Sequence, residues 1–182
     1  MKIIKELVFR IRGEYTTDKL TRMGLHVGTH FLRMRGAILD PSHCWLLDIG
    51  DYVTLAPRVH ILCHDTSTKD LLGYTKVGRV TIGNHVFIGA ESVVLPGVEI
   101  GDYVIVGAGS VVSKNIPSNS VVAGNPAVII AQYDDYMKKH KKKMEIGPVF
   151  GESYTLRNKH ITDKEKEEMR ALLADNKIGY IE

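Results

Sequence analysis

Residues 82–117 read IGNHVF, IGAESV, VLPGVE, IGDYVI, VGAGSV and VSKNIP when cut every six residues. The first position is Ile82, Ile88, Val94, Ile100, Val106 and Val112, aliphatic each time. Val, Ile and Leu supply 50 of the 182 residues, so six such hits in one phase arise by chance about four times in ten thousand, and the period is a real signal. Glycine follows in four hexads, at Gly83, Gly89, Gly101 and Gly107, and the fifth position is small or aliphatic. A helical period drifts out of phase within two hexads, and a flat strand does not call for glycine every sixth residue. A short strand followed by a corner explains both features. The aliphatic residue points into a narrow core, and glycine is expected to supply the backbone freedom of the corner. Three such faces make an 18-residue coil, and coils stack at about 4.8 Å by parallel pairing.

The same register recurs upstream at Ile49–Gly50, Leu55–Ala56 and Ile61. Ile61 and Ile82 are 21 residues apart, which is not a multiple of six. The polar stretch HDTSTKDLLGYTKVG, residues 64–78, is therefore expected to leave the coil as a protruding loop. Val27–Gly28 and Ile38–Leu39–Asp40 read as earlier, imperfect coils. The organisation expected is an N-terminal helical segment at 1–23, the coil domain at 24–131 with its loop at 64–78, and a helical extension at 132–182. In the first segment Ile3, Ile4, Leu7, Val8 and Ile11 have helical spacing, interrupted by charges, so a signal peptide is not expected. In the extension, Gly147–Pro148 ends a basic helix and Thr162 with Glu165 forms a capping-box pattern for another.

Composition bounds the function. Hydrophobic residues make up 44% and charged residues 25%, with a net charge of +3, which describes a globular chain and does not predict a nucleic-acid binder. No run reaches the roughly 20 apolar residues of a membrane-spanning helix. Cys44 and Cys63 are too few for a disulfide scaffold and form no metal-ligand pattern. A cytoplasmic location is expected, with no nucleic-acid partner and no integral membrane segment.

The run VTIGNHVFIGAESVVLPGVEIGDYVIVGAGSVVSKNIP, closed by VVAGNPA, resembles the hexapeptide-repeat acyltransferases. Within them it is most similar to the maltose/galactoside and capsular polysaccharide O-acetyltransferases. The resemblance spans about residues 24 to 131. It implies an all-β fold, a left-handed parallel β-helix with short N- and C-terminal helical segments. It also implies a homotrimer with sites between subunits and acetyl-coenzyme A as co-substrate, with no metal expected. Left-handed crossovers run against the usual rule for parallel strands, so handedness comes from the resemblance alone.

The resemblance also nominates residues. His64, where the coil gives way to the loop, matches the family's catalytic base, and an imidazole suits deprotonation of an attacking hydroxyl. Asp65 is adjacent, but neighbours on an extended chain point apart. Asp40, His43 and His85 are expected on the acceptor side. Ala90, Gly107 and Ala108 match positions where small side chains let the donor's pantetheine arm approach the backbone. Ser113, Lys114 and Pro126 match positions near the cofactor, and an ammonium suits its phosphates. Val128 stands where relatives commonly carry Lys or Arg, and the basic run Lys138–Lys143 follows.

The function expected is transfer of acetyl from acetyl-coenzyme A to a hydroxyl of a sugar or polysaccharide precursor, a small-molecule or saccharide acceptor, with His64 as general base. Three alternatives stand beside it. One is an N-acetyltransferase or antibiotic acetyltransferase on the same scaffold. Another is a non-catalytic solenoid that binds or assembles. The last is a zinc lyase like the γ-class carbonic anhydrases, whose histidine positions are here Ala90 and Leu95.

Overall fold

The computed structural model describes residues 14–155, 160–175 and 177–182. The amphipathic pattern of residues 3–11 lies outside them. The chain groups into two compact units, Met1–Tyr133 and Asp134–Glu182.

The first unit is built from three sheets that the chain visits in rotation. The first sheet joins β1 (His26–Val27), β4 (Leu47–Ile49), β9 (Val80–Ile82) and β12 (Glu99–Ile100). The second runs from β2 (Leu32–Arg33) through β5 (Thr54–Leu55), β10 (Phe87–Ile88) and β13 (Val104–Val106) to β15 (Ser120–Ala123) and β16 (Val128–Gln132). The third holds β3 (Ile38–Leu39), β6 (His60–Ile61), β11 (Val93–Val94) and β14 (Val111–Val112). Within these three sheets every pairing is parallel except β15 with β16, which is antiparallel. Consecutive hexads therefore fall on consecutive sheets. Ile82 pairs with Ile100, Ile88 with Val106 and Val94 with Val112, one 18-residue coil further on.

The first hexad position forms three inward columns. Ile49, Ile82 and Ile100 line one, Leu55, Ile88, Val106 and Val122 another, and Leu39, Ile61, Val94 and Val112 the third; all are buried. Each such side chain contributes roughly 1.5–3 kcal/mol by burial. The fifth position fills the space between columns. Ser92 and Ser110 are fully buried there and satisfy themselves on backbone, both hydroxyls donating to the Gly107 carbonyl at 3.0 and 2.6 Å.

The hexad glycines do a different job from the one expected. Gly83, Gly89, Gly101 and Gly107 are not at positive φ; the left-handed residue is the fourth of the hexad, His85, Glu91, Gly97, Tyr103 and Gly109. The second-position glycine is required because coils approach too closely for a side chain. A Cβ on Gly89 would sit 2.5 Å from the Ala108 nitrogen.

The imperfect early coil is a full one. Val27, Arg33 and Leu39 stand in register on the three sheets, Arg33 opposite Leu55. The phase is hard to see because Arg33 occupies an inward position. Its guanidinium donates to the carbonyls of Ala37 and Tyr15, which satisfies the half-buried charge. Helix α1 (Thr17–Arg22) covers this end with Leu20, fully buried. At the other end β16 pairs onto β15, covering an edge that would otherwise be open.

Helix α3 (Tyr133–Ile146) begins on the last residue of the first unit, and α4 spans Asp163–Leu172 in the second. The capping box of Thr162 and Glu165 is formed in both directions. The short strands β17 (Val149–Phe150) and β18 (Tyr180–Ile181) pair in parallel. Among the described residues, no helix is long and apolar enough to cross a membrane.

Candidate active site

The coil is lengthened at one corner only, the turn from the third sheet back to the first. In the later coils this turn is short, as in Val94–Ile100. In the first coil Leu39 and Ile49 are separated by four extra residues, and the insertion folds as a 3-10 turn at Cys44–Leu46. In the second coil the insertion is residues 64–78. It is not a featureless loop: β7 (His64–Asp65) and β8 (Lys76–Val77) pair antiparallel at its base, and a 3-10 turn and the short helix α2 (Lys69–Leu72) form its tip. The two insertions are stacked on successive coils, and the site lies where they meet.

Asp40 opens the first insertion and His64 the second. The Asp40 side chain is fully buried and that of His64 is 30% exposed. One carboxylate oxygen, Oδ1, accepts the backbone N–H groups of Ser42 (2.9 Å) and His43 (3.2 Å), which closes the turn. The other, Oδ2, accepts the Cys63 N–H at 2.8 Å and lies 2.5 Å from His64 Nδ1. Burial pushes the Asp40 carboxyl up, but the bonds from His64, Cys63 and Ser42 and the charge of His64 outweigh it. The group stays below the ordinary carboxylate value. A carboxylate on Nδ1 holds that proton on the ring and leaves Nε2 as the basic nitrogen.

His43 packs its ring 5.0 Å from that of His64 and 5.3 Å from Trp45. Its Nδ1 is buried without a hydrogen-bond partner in the described structure. Asp40, His43 and His64 each offer a ligand atom within 4.8 Å of the others. His60 and His85 are not part of this group. Cys63 precedes His64, and burial, then the charge of Asp40, pushes its thiol up to about 12, which disfavours the nucleophilic thiolate.

One expectation changes here. Asp40, expected to meet the acceptor, is 1% exposed and spends both oxygens inside the protein, so it touches His64 instead. Asp65 faces away. Its carboxyl is drawn down to about 2 by Lys76, 2.6 Å away, and by the Ser67 N–H, and it braces the loop.

His85 is not brought to this cluster. It sits on the corner from the first to the second sheet, stacked parallel between Tyr52 (4.7 Å) and Tyr103 (4.8 Å), with His30 beyond Tyr52. This column of left-handed corner residues gives His85 a packing role apart from the Asp40, His43 and His64 cluster.

The donor-side residues flank the third sheet. Ala90 and Ala108 lie on successive coils at its entry, joined by the Gly109 N–H donating to the Ala90 carbonyl at 2.8 Å. Gly107 precedes Ala108 and accepts the two serine hydroxyls described above. Ser113 and Lys114 are exposed at its exit, on the same corner as His64 and two coils along, which is about 10 Å at the usual coil spacing. Pro126, exposed after a cis bond from Asn125, lies in the turn that follows β15, and the Ala127 N–H donates to Val111 on the sheet's last strand. Val128 is 59% exposed on β16.

Trp45 was not singled out by sequence reasoning, and neither was the contact of Asp40 with His64. The available signal was the register: with Leu39 aligned on Ile61, the residues after each fall on the same corner.

Comparison with known proteins agrees with this architecture. Residues 79–114 match the family model described as bacterial transferase hexapeptide, six repeats. The chain is 38% identical to protein CapG of Staphylococcus aureus over 143 residues, 75% of this chain and 83% of that protein. It is 35% identical to the galactoside O-acetyltransferase of Escherichia coli K12 over 134 residues, 67% of this chain and 63% of that protein. Among solved structures, a galactoside acetyltransferase in complex with coenzyme A aligns with a TM-score of 0.57 at 35% identity, covering 63% of this chain and 58% of that one. A maltose O-acetyltransferase from Clostridium difficile 630 aligns with a TM-score of 0.52 at 36% identity, covering 60% of this chain and 59% of that one.

Proposed function

The chain belongs to the hexapeptide-repeat acetyltransferases, and on that premise we propose that it acetylates a hydroxyl of a sugar or polysaccharide precursor from acetyl-coenzyme A, with His64 as general base. The observation that carries the reading is the buried Asp40 carboxylate 2.5 Å from His64 Nδ1. A carboxylate with four internal hydrogen-bond contacts cannot turn to solvent, so its orienting effect on the imidazole is permanent.

The reaction follows from that geometry. His64 Nε2 takes the proton of the acceptor hydroxyl as its oxygen attacks the thioester carbonyl carbon. The imidazolium formed is stabilised by Asp40, which stays ionised. The tetrahedral intermediate collapses with cleavage of the carbon–sulfur bond, and the imidazolium returns its proton to the departing thiolate. The products are the acetyl ester and free coenzyme A, and the base is regenerated. No acyl-enzyme is needed, in keeping with a Cys63 thiol held protonated.

For the donor, Ala90, Gly107 and Ala108 would line the pantetheine arm, and Ser113, Lys114 and Pro126 the far end of the coenzyme. The likeness to a galactoside acetyltransferase in complex with coenzyme A supports this assignment. The coil would wind left-handed, and three copies would assemble with the sites between them. Exposed apolar groups at the tip of the second insertion, Leu71 at 91% and Tyr74 at 79%, support a covered tip.

The test is His64→Ala. Turnover should fall by about 10²–10⁴, while calorimetric titration with acetyl-coenzyme A still gives one site per protomer. Near-normal turnover would sink the assignment of the base. Lys114→Ala should weaken the same titration, and absence of any coenzyme binding to either protein would mean that the scaffold has a different use.

A further inference from the structure

We propose that Trp45 is the platform on which a sugar ring of the acceptor stacks, and that the preferred acceptor therefore carries at least two linked sugar residues. This inference rests on the O-acetyltransferase reading above and adds the part of the acceptor that is not acetylated.

Trp45 is the single tryptophan of the chain. It is 53% exposed, although its neighbours Cys44 and Leu47 are fully buried. A large apolar ring held out beside a charged site is more informative than a scattered surface leucine. The turn that carries the ring is anchored. Cys44 fixes it, its Sγ lying 3.7 Å from the carbonyls of Leu20 and Met23. Gly24 leaves room for the base of the Trp45 side chain: a Cβ there would approach the Trp45 Cβ to 2.9 Å.

The indole also stands in a row. Trp45 touches His43 at 5.3 Å between centroids, and His43 touches His64 at 5.0 Å. The platform is thus two ring contacts from the base, a span suited to a disaccharide whose one ring presents its hydroxyl to His64 while the other lies on Trp45. A pyranose has an apolar C–H face and a polar rim. Stacking uses the face and leaves the rim hydroxyls free for the base, so it orients the acceptor without competing with the reaction. An amino-acid acceptor has no such face.

Because Trp45 is alone, its emission reports this subsite without any turnover. The protein is titrated with maltose and lactose, then with glucose, galactose and serine. Acetyl transfer to the same compounds is measured for wild type, Trp45→Phe and Trp45→Ala. The disaccharides should change the emission saturably, at lower concentration than the monosaccharides, and serine should not. Trp45→Ala should raise the acceptor KM about tenfold, the scale of one lost aromatic contact, with kcat and the acetyl-coenzyme A KM nearly unchanged. Trp45→Phe should lie between. Acetyl transfer to a sugar with silent emission and an unchanged acceptor KM in Trp45→Ala overturns the platform and leaves the enzyme reading standing. Silent emission with no sugar acetylated overturns both. Dissociation of Trp45→Ala to smaller species identifies the indole as a subunit contact and also overturns the proposal.

Discussion

Oδ2 of Asp40 lies 2.5 Å from Nδ1 of His64, although the two residues are separated by a whole coil of the chain. The contact exists because two insertions interrupt the same corner on successive coils. It has a direct consequence for catalysis. Asp40→Asn keeps the shape of the side chain but removes the charge that stabilises the imidazolium and offers an amide where an acceptor is needed. Its kcat should fall by about 10²-fold or more, with coenzyme binding retained in calorimetry. A kcat within twofold of wild type would contradict the orienting role.

The same carboxylate links stability to pH. Its folded pKa lies below the ordinary value, so its contribution is present above the unfolded pKa of about 3.9 and is lost as pH falls through the lower folded value. Thermal unfolding of wild type and Asp40→Asn from pH 7 to pH 3 should show wild type more stable near neutrality. The gap should narrow as the pH drops below about 4. A gap independent of pH would mean that only shape matters at this position.

Cys63 gives a prediction of opposite sign. Its thiol is pushed up to about 12, so its contribution to stability is complete below the unfolded pKa of about 8.5 and is lost as pH rises through the folded value. In the native protein at pH 8 a disulfide reagent should leave Cys63 unmodified, and after denaturation both thiols should react. Rapid labelling of Cys63 in the folded protein would show that the thiol is not held protonated beside Asp40.

The loop tip tests the assembly. Leu71 and Leu72 are 91% and 65% exposed, an arrangement that favours a partner surface. In the homotrimer proposed above, the double change Leu71→Ser, Leu72→Ser should shift sedimentation velocity toward smaller species at low protein concentration. An unshifted trimer would place the interface elsewhere.

Two glycines separate the roles of hexad positions. Gly89→Ala should destabilise by about 1–3 kcal/mol, because the new Cβ would meet the backbone of the next coil at 2.5 Å. Gly109 has φ +70° with open space around it, so Gly109→Asn should be tolerated, as asparagine enters the left-handed region readily. Chemical denaturation of both variants decides the point. Equal losses would mean that conformation, and not coil spacing, governs both positions.

The repeat was legible because a core one residue wide demands an aliphatic side chain at every sixth position, and that demand is written locally. His64 and the loop were legible as the place where the period breaks. The capping box of Thr162 and Glu165 was legible because both partners lie within one helical turn. The first coil was harder to see, since Arg33 takes an inward position whose satisfaction depends on carbonyls at Tyr15 and Ala37. The role of the hexad glycines was misread, because close approach between coils leaves no mark on one hexad that differs from backbone freedom.

By itself, then, the sequence determined the columns of Ile, Val and Leu, the corner that opens and the histidine at its edge. These depend on period, and period is a local property. Only the tertiary structure decided that Asp40 contacts His64, that Asp65 turns to Lys76, that His85 is stacked between tyrosines, and that Trp45 stands exposed in a row with His43 and His64. Asp40 meets His64 because two insertions open the same corner on successive coils, and His85 meets its tyrosines because coils stack in register. Asp65 meets Lys76 only once the second insertion folds back on itself, and none of these proximities is written in one hexad.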